Sequence, residues 1–516
     1  MKTRNIKTKK PWRRVRPDGY GGHGILSMQQ MADTPFDSVR FDIVTQADFI
    51  RELYPTGHAI YDHTVYPDIF REEVVPVLDN EGKDTGKVTK RLYREPVPRY
   101  AFAFQRIILV KHLVHLCGND VQFELNSNKA SESETDTFTL FRTGWLNKDM
   151  EIAFYESAKS VKSTGDTAFV GFLREGKFYW KVLSYINGDT LFPHYDSVTG
   201  KLNLFARSFS DYNENGDEIV QWLEVWDDTN LYRYRQGKGD GRTIKERVLG
   251  VFGLDGYTLV EKKPHGFPFI PVSYMRDEDG ACWSDSQDSI DGYEMSFSQM
   301  AHNNQAYGEP IMLYMGDGDN AEVMKDVNGT IKSISMGPDD KVDYLQAQSA
   351  SESYMKQLDT QYKMIYSQSF IVDPPELKSG DLPAAALKIL YSPAYEKAMT
   401  DCKDYQKFLN RMVEIFIYGY GVETGRTIDF ANMDMKWWLE PYVHVNSSTV
   451  IADLAAAVQN GFISRQTASE RIETLYSTNS EWDRIMREAK QQQEADLLYQ
   501  LKVAEQNEPA DTATDK

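Results

Sequence analysis

Residues 348–418 constrain the fold most, because they predict a helix, a short loop rich in proline and glycine, and a much longer helix. Adjacent Pro374 and Pro375 lack backbone donors and disfavour helix before them, so the first helix must end there. Apolar and aromatic residues recur every three or four positions on one face of each helix: Tyr354, Leu358, Tyr362, Ile365 and Tyr366 in the first, and Tyr395, Ala398, Cys402, Tyr405, Leu409, Met412 and Phe416 in the second.

The second helix has the strongest period in the chain. Counted from Ala385, it would be about 50 Å long at the usual rise per residue. Pro393 lies inside this predicted helix, so we expect a kink near Leu390. A long kinked helix entered through a rigid loop is typical of a mechanical element and contains no recognisable catalytic group.

The net charge of the 516 residues is −19, and it is unevenly distributed. Residues 1–16 contain no acid and eight basic residues: Lys2, Arg4, Lys7, Lys9, Lys10, Arg13, Arg14 and Arg16. Subtracting these eight charges leaves a net charge of −27 for the remainder of the chain. Charge runs of this kind are usually solvated, so we expect a flexible basic arm over residues 1–38. The alternative is an arm that binds phosphate groups or an acidic partner.

Composition excludes several classes of protein. No run of eighteen apolar residues is present and the first thirty residues lack an apolar core, so we expect neither a membrane span nor a secretory signal. The three cysteines are far apart and form no CxxC pair. This spacing indicates a reducing compartment and argues against disulfides and against a cysteine zinc site.

The part of the chain before residue 310 predicts helices around an antiparallel sheet. We expect a hairpin about the turn 80–86, a helix over 101–117 with a strand after it, a loop over 131–137 and one helix over 138–162. From Gly165 the apolar period becomes two, which predicts one antiparallel meander with strands at 168–173, 178–183, 202–206, 219–226 and 231–234.

After the meander, the pattern predicts a strand at 272–275, a helix over 286–305 and a small β-rich insert with strands at 311–315, 330–335 and 342–345. Beyond Gly421 we expect a strand region at 433–442, helices over 447–459, 464–474 and 481–505, and a polar tail from Asn507.

No motif predicts catalysis, a metal or a cofactor. His112, His115 and Cys117 have side chains that could bind a metal, but their helix is apolar, which favours buried or interfacial histidines. The segments 277–280 and 317–320 lack the full spacing of a calcium loop. Phosphate-loop, GxSxG and HExxH motifs are missing from the sequence. We therefore expect a protein that is not an enzyme.

Six stretches, taken in order, resemble one known family. They are AFAFQRIILVKHLVHLCGNDVQFEL (101–125), SAKSVKSTGDTAFVGFLREGKFYWKVL (157–183), HGFPFIPVSYMRDEDG (265–280), SDSQDSIDGYEMSFSQM (284–300), YSQSFIVDPPELKSGDLPAAALKILYSPAYEKA (366–398) and NGFISRQTASERI (460–472). In order and spacing, the chain resembles the portal proteins of tailed double-stranded DNA bacteriophages, of the long-tailed type.

The resemblance implies an α+β portal fold. It implies a β-rich wing, a helical stem, a small α/β clip, a long kinked helix with a tunnel loop, and a helical C-terminal crown. The implied boundaries are 1–38 for the basic arm, 39–270 for the wing, 271–307 for a strand and the first stem helix, 308–347 for the clip, 348–370 for the second stem helix, 371–386 for the tunnel loop, 387–444 for the long wing helix and return strand, 445–505 for the crown, and 506–516 for a disordered tail.

The resemblance also implies partners and a location. A ring of about twelve identical subunits would occupy one capsid vertex of the virion, after assembly in the cytoplasm of the host bacterium. Double-stranded DNA would be packaged through the ring by the terminase and later ejected. The terminase large subunit and then the head–tail adaptor would dock on the clip. The major capsid protein and a scaffold protein would surround the ring, without a membrane or a cofactor.

Candidate functional residues follow from this resemblance and from charge. A conduit must not grip DNA, because each neutralised phosphate adds salt-dependent affinity, and the acidic body agrees with that requirement. The candidates for DNA contact are Lys356, Lys363, Pro374, Pro375, Lys378, Ser379 and Gly380. The candidates for clip docking are Tyr314, Met315, Asp317, Asp319, Lys325 and Lys332. For Lys356, Lys363 and Lys378, ordinary exposure to solvent without DNA contact is an equal alternative.

Two other classes of function stay open at this point. One is another capsid or tail structural protein, although the order of helix, β insert, helix, loop and long helix argues against it. The other is a metal-dependent nucleic-acid enzyme with scattered acidic ligands. Nuclease activity on a plasmid would support the enzyme.

Overall fold

The computed structural model describes residues 15–17, 41–78, 84–126, 131–212, 219–236, 257–307, 311–315, 323–325, 331–334, 341–345, 351–372, 389–442, 447–476 and 481–506. Among these residues, no helix is both long enough and apolar enough to cross a membrane. The predicted turn at 80–86 is outside the described residues up to position 83. So are all of the proposed arm except 15–17 and the whole of the tail from residue 507.

The N-terminal part contains two small antiparallel sheets. Strand β1 (Val15–Pro17) pairs with β2 (Phe41–Ile43), and helix α1 (Gln46–Leu53) follows. Strands β3 (Ile69–Leu78) and β4 (Asp84–Glu95) pair with each other, which confirms the predicted hairpin. Part of the arm that we expected to be flexible is therefore a strand.

Three helices then form much of the core, and two predictions here were wrong. Helix α2 (Phe104–Cys117) and strand β5 (Gln122–Leu125) are as expected. The predicted loop at 131–137 is the first part of α3 (Glu132–Asn147), because Ser131 and Glu134 form a capping box. The single helix over 138–162 is divided, since Asp149 has a φ of 54° and α4 (Met150–Thr164) begins after it.

The predicted meander is two sheets instead of one. Strands β6 (Asp166–Arg174) and β7 (Lys177–Leu183) form a three-stranded sheet with β13 (Val272–Arg276), in the order β13-β6-β7. The second sheet has the order β12-β11-β10-β9-β8, and all its pairs are antiparallel. Its strands are β8 (Thr190–Tyr195), β9 (Leu202–Tyr212), β10 (Ile219–Trp226), β11 (Asn230–Gln236) and β12 (Tyr257–Pro264).

The sequence pattern indicated neither β8 and β12 nor the division of the meander into two sheets. The division depends on the pairing of Val272 with Val170, which joins residues about a hundred positions apart. The three-stranded sheet is buried on both faces, since Phe169 and Phe178 pack among helices while Ala168 and Val170 pack against the five-stranded sheet.

A pair of helices follows the sheets, as expected. Helix α5 (Gln287–Tyr307) and helix α6 (Ser351–Gln368) flank four short strands. The strands β14 (Ile311–Met315) and β17 (Lys341–Leu345) pair with each other, as do β15 (Val323–Lys325) and β16 (Ile331–Ile334). The predicted β-rich insert is thus confirmed, with β15 as an additional strand.

The long helix α7 (Ser392–Thr424) has 33 residues, close to the predicted length. The kink expected near Leu390 falls where the helical path is interrupted, directly before α7. Residues 389–390 are helical, Tyr391 is a turn, and Pro393 lies in the first turn of α7. Proline is accommodated there because the first backbone N–H groups of a helix have no partner within it.

The C-terminal part is mainly helical, as predicted. Helix α8 (Thr427–Asn432) leads to β18 (Met435–Trp438), which pairs with β5 in antiparallel register. Three further helices follow: α9 (Ser447–Gln459), α10 (Arg465–Tyr476) and α11 (Glu481–Gln506). Ser464 caps α10 by accepting a hydrogen bond from the Thr467 N–H at 3.0 Å.

Candidate nucleic-acid interface

Helices α5 and α6 pack side by side and run antiparallel. Gln357 donates from Nε2 to Ser296 Oγ at 2.9 Å, and Ser289 Oγ contacts Gln368 Oε1 at 3.0 Å. Positions earlier in α5 therefore face positions later in α6. Apolar and aromatic side chains spaced by three and four close the contact, as the sequence predicted: Ile290, Leu358, Tyr362, Ile365 and Tyr366.

An aromatic cluster anchors the helix pair to the rest of the chain. Rings at and just before the start of α2 meet rings from both helices at centroid distances between 5.2 and 6.4 Å: Phe102 and Phe104 meet Tyr293, Phe297 and Tyr366. Such edge-to-face contacts fix the geometry of the packing as well as its burial. The pair therefore stands on a rigid base.

A buried ion pair reinforces this base. His58 Nδ1 lies 2.7 Å from Glu294 Oε1, and the Phe102 N–H donates to the same oxygen at 2.8 Å. Burial alone would lower the pKa of His58, but the hydrogen bond and charge of Glu294 raise it overall. Burial also raises the pKa of Glu294. One carboxyl group thus joins α5 to two segments of the N-terminal part.

Lys356 and Lys363 lie on the outer face of α6, and both are exposed. Their separation of seven residues places them on the same side of the helix, and Thr360 and Ser367 fall within the same arc of about 60°. The buried residues Leu358 and Ile365 are on the opposite side, against α5. The structure therefore brings these two predicted lysines together on a surface that faces away from its partner helix.

The other predicted contact residues are only partly described. Tyr314 and Met315 are in β14, where they pair with Val342 and Lys341. Lys325 is at a register shift in β15, and Lys332 is in the facing strand β16. Outside the described residues are Asp317, Asp319, Pro374, Pro375, Lys378, Ser379 and Gly380.

Helix α2 holds the start of the segment that leads into residues 373–388. His112 donates from Nε2 to the Ser369 carbonyl at 2.7 Å, and Ser369 Oγ contacts Ser286 Oγ at 2.6 Å. Phe370, directly after, has a φ of 56°, which turns the chain away from α6. Burial lowers the pKa of His112 to about 4, so the imidazole is neutral near pH 7.

The same helix also contacts the end of that segment. The ring of His115 lies 6.1 Å from the ring of Tyr391, the residue before α7. His115 Nδ1 donates to the Tyr442 carbonyl at 2.9 Å. Both histidines are buried, as predicted. The sequence did not indicate that these two histidines of one helix contact Ser369 and Tyr391, on either side of residues 373–388, because the contacts join residues distant in sequence.

Similarity to known proteins identifies the family of this chain. The family model described as "Phage portal protein, SPP1 Gp6-like" matches residues 62–495, which is most of the chain. The chain belongs to the phage portal protein family. Among its relatives is the portal protein of Bacillus phage SPP1, which is 22% identical over 408 residues and covers 76% of each chain.

Membership of the portal family establishes the role of the chain. Portal proteins of tailed phages form the portal channel used in DNA packaging, and the family is structural, not a family of enzymes. Portal proteins act as oligomeric rings at a capsid vertex, together with capsid and packaging components. The family does not favour the two alternatives, a different capsid or tail protein and a nucleic-acid enzyme.

The cysteine thiols of this portal chain are unreactive. All three cysteines are free, and burial raises the pKa of Cys282 to about 12 and of Cys402 to about 11. Neutral buried thiols are poor nucleophiles and poor metal ligands. Within the described ranges, no group of three or more His, Cys, Asp or Glu side chains could hold a metal ion.

Proposed function

We propose that the outer face of α6 lines the DNA channel of a portal ring of about twelve copies. The observation that carries this proposal is the shared exposed arc of Lys356 and Lys363, on a helix whose other side is closed by α5. One weak phosphate contact per subunit is repeated around a ring, so that small contributions add without any single tight grip. The acidic remainder of the chain keeps DNA free to slide.

Charge reversal of both lysines tests the channel assignment. We expect K356E/K363E portals to assemble into rings but to yield several-fold fewer DNA-filled heads, because the reversed charges repel passing phosphates. The matched control is K262E/K263E, which reverses two exposed lysines of the wing strand β12. Equal DNA content in both variants would remove the channel role of α6.

We infer that residues 371–386 are a tunnel loop that projects into the channel. Support comes from the chain on either side, because Ser369 and Tyr391 both contact α2. The two flanks of the loop therefore lie close together on the same helix. Deletion of residues 374–383 should spare ring assembly and impair packaging or DNA retention. DNA-filled heads at the normal yield would contradict this role.

The β14–β17 insert is our candidate for docking the terminase large subunit and, later, the head–tail adaptor. Its position between two antiparallel helices places it at the end of the helix pair distant from the aromatic base. We expect D317K/D319K to weaken adaptor binding without loss of rings, measured by pull-down on purified portals. Unchanged adaptor binding would exclude these aspartates.

The subunit number is the first measurement to make. Negative-stain electron microscopy shows whether purified chains form rings with a central hole, and native mass spectrometry counts the copies. About twelve copies are expected. A monodisperse monomer would require assembly with scaffold or capsid protein before the channel variants are compared, since assembly depends on concentration and partners.

A further inference from the structure

A groove of about 1170 Å³ lies between the wing sheets and the long helix. One wall is α7, with Lys397, Asp404 and Phe408, and the other contains Tyr195 and Asn203 from β8 and β9. Strand β13 runs along the groove as the edge strand of the three-stranded sheet, in which it pairs with β6. In the described part of the chain, no other strand pairs with β13.

The backbone of β13 presents its outer edge to this groove. The Gly171 N–H donates to the Pro271 carbonyl, and the Asp277 N–H donates to the Gly165 carbonyl, both at 2.9 Å. Hydrogen-bonded positions alternate along an antiparallel pair, so Tyr274 directs its peptide groups away from β6. An edge of this kind accepts an additional extended segment of chain.

The groove is acidic at one end. Ser273 Oγ donates to the Phe408 carbonyl at 2.8 Å, and Arg411 donates to the Ile270 carbonyl at 2.9 Å. These contacts show that β13 and α7 run in opposite directions, so the part of α7 before Phe408 lies beside the C-terminal end of β13. Five carboxylates line that end, together with the bases Arg276, Lys397 and Lys407: Asp277, Glu278, Asp279, Asp401 and Asp404. Asp401 is paired with Lys397 at 3.2 Å and with the buried Lys162 at 2.8 Å. The exposed carboxylates that face a basic segment are therefore Glu278, Asp279 and Asp404.

The N-terminal arm enters the described structure near this acidic end. Val15 pairs with Ile43 in antiparallel register, so the residues before Val15 run toward the residues after Ile43. Gln46 donates to one carboxylate oxygen of Asp166 at 2.6 Å, and the hydroxyl of Tyr274, a residue of the groove, donates to the other at 3.2 Å. Fourteen residues can extend about 45 Å, enough to follow β13 to its other end.

We propose that residues 1–14 of each chain bind in the groove of the same chain, along the outer edge of β13. These residues contain no acid and seven bases, which complements the acidic end of the groove: Lys2, Arg4, Lys7, Lys9, Lys10, Arg13 and Arg14. The arm then neutralises carboxylates on the wing instead of gripping phosphates in the channel. This assignment does not depend on which residues line the channel.

Zero-length cross-linking of the full chain tests the proposal. A carbodiimide joins lysine amines directly to carboxylates, and mass spectrometry identifies the joined peptides. We expect links from Lys7, Lys9 or Lys10 to the peptide that contains Glu278 and Asp279, with a yield that falls at 1 M NaCl because salt screens exposed charges. The variant E278K/D279K should lower the yield at least fivefold.

The control variant is E488K/E494K, which reverses two exposed carboxylates on α11 and should leave the links unchanged. A mixture of ¹⁴N- and ¹⁵N-labelled chains identifies the chain that supplies the arm. Links within one isotope support the proposal, whereas mixed-isotope links would overturn it by assigning the arm to a neighbouring copy. A full chain without links to residues 277–279 or Asp404 would also overturn it.

Hydrogen exchange gives a second readout that does not depend on cross-linking chemistry. Deletion of residues 1–14 should speed amide exchange at the end of β13 and in the following turn, while exchange in the β6–β7 hairpin stays the same. Equal exchange rates in the full and truncated chains at residues 272–279 would contradict an arm bound along this edge.

Discussion

His112 donates a hydrogen bond from Nε2 to the carbonyl oxygen of Ser369 at 2.7 Å, across 257 positions of sequence. This contact joins a core helix to the point where the chain leaves α6 for residues 373–388. The imidazole is buried and its pKa is lowered to about 4, so the bond is made by a neutral ring. A group that must stay neutral in the folded state makes stability depend on pH.

The first prediction follows from that pKa. Between about pH 6.5 and 4 the unfolded chain binds a proton at residue 112 and the folded chain does not, so stability falls as the pH falls through this window, by about 3 kcal/mol. In H112Q, an amide still donates to Ser369, and this part of the pH dependence should disappear. Urea unfolding at pH 8 and at pH 4.5 measures it. Parallel pH profiles for the two proteins would contradict the assignment.

The second prediction concerns Glu151, whose pKa burial raises to about 7. Its Oε1 accepts from Trp145 Nε1 at 2.6 Å, and Val121 N–H also donates to the carboxyl group. The folded state keeps its proton between pH 4.5 and 7 while the unfolded state loses it, so stability falls as the pH rises through this window.

The variant E151Q retains a neutral acceptor for the indole and removes the charge. It should be more stable than the parent at pH 8 by about 2 kcal/mol and similar to it at pH 4. Thermal unfolding at both pH values tests this, with E156Q, an exposed neighbour on α4, as the control. A larger benefit at pH 4 than at pH 8 would reverse the predicted sign.

The third prediction concerns a buried ion pair between α4 and α7. Lys162 Nζ lies 2.8 Å from Asp401 Oδ2, and Lys397 Nζ lies 3.2 Å from the other oxygen of Asp401. In K162M, Asp401 keeps Lys397, whereas in D401N the buried ammonium of Lys162 loses its carboxylate. We expect D401N to cost about 3–5 kcal/mol and K162M clearly less. Denaturant unfolding measures both, and equal losses would show that Lys397 does not compensate.

The fourth prediction compares two helical glycines. A Cβ on Gly419 would lie 2.2 Å from the ring of Phe178, because α7 approaches β7 closely there. A Cβ on Gly292 meets only the end of the flexible Gln361 side chain, at 3.0 Å. We expect G419A to destabilise by about 2 kcal/mol or more, through overpacking. We expect G292A to be neutral or slightly stabilising, since alanine favours helix.

Melting temperatures of the two alanine variants test this pair. The expected order is G292A at or above the parent and G419A below it. If G419A melts with the parent, the close packing of α7 on β7 must relax without cost, and the long helix is then less rigidly seated than these contacts indicate.

Local sequence predicted those elements whose signals lie within one segment. The period of α6 placed Leu358 and Ile365 on the buried side and Lys356 and Lys363 on the exposed side, because a helix repeats its faces independently of the rest of the fold. The strands at 219–226 and 311–315, and the paired helices around the insert, were also predictable from period and turn residues.

Local sequence failed where two signals competed within a few residues. Pro393 indicated an interruption near Leu390, but the sequence did not show that a new helix begins at Ser392 with Pro393 in its first turn, a position that suits proline equally well. The acidic stretch after Ser131 was read as a loop because its polarity resembles one. Its spacing of Ser131 and Glu134 is that of a capping box, a signal that could have found the start of α3.

The sequence by itself determined the family order of elements, the charge of the arm and the exposed lysine face of α6, since these depend on spacing and composition. Only the tertiary structure decided that His112 and His115 contact Ser369 and Tyr391, that β13 returns to β6, and that a groove lies between β13 and α7. Each of these depends on residues far apart in the chain, which the packing of a common core brings together.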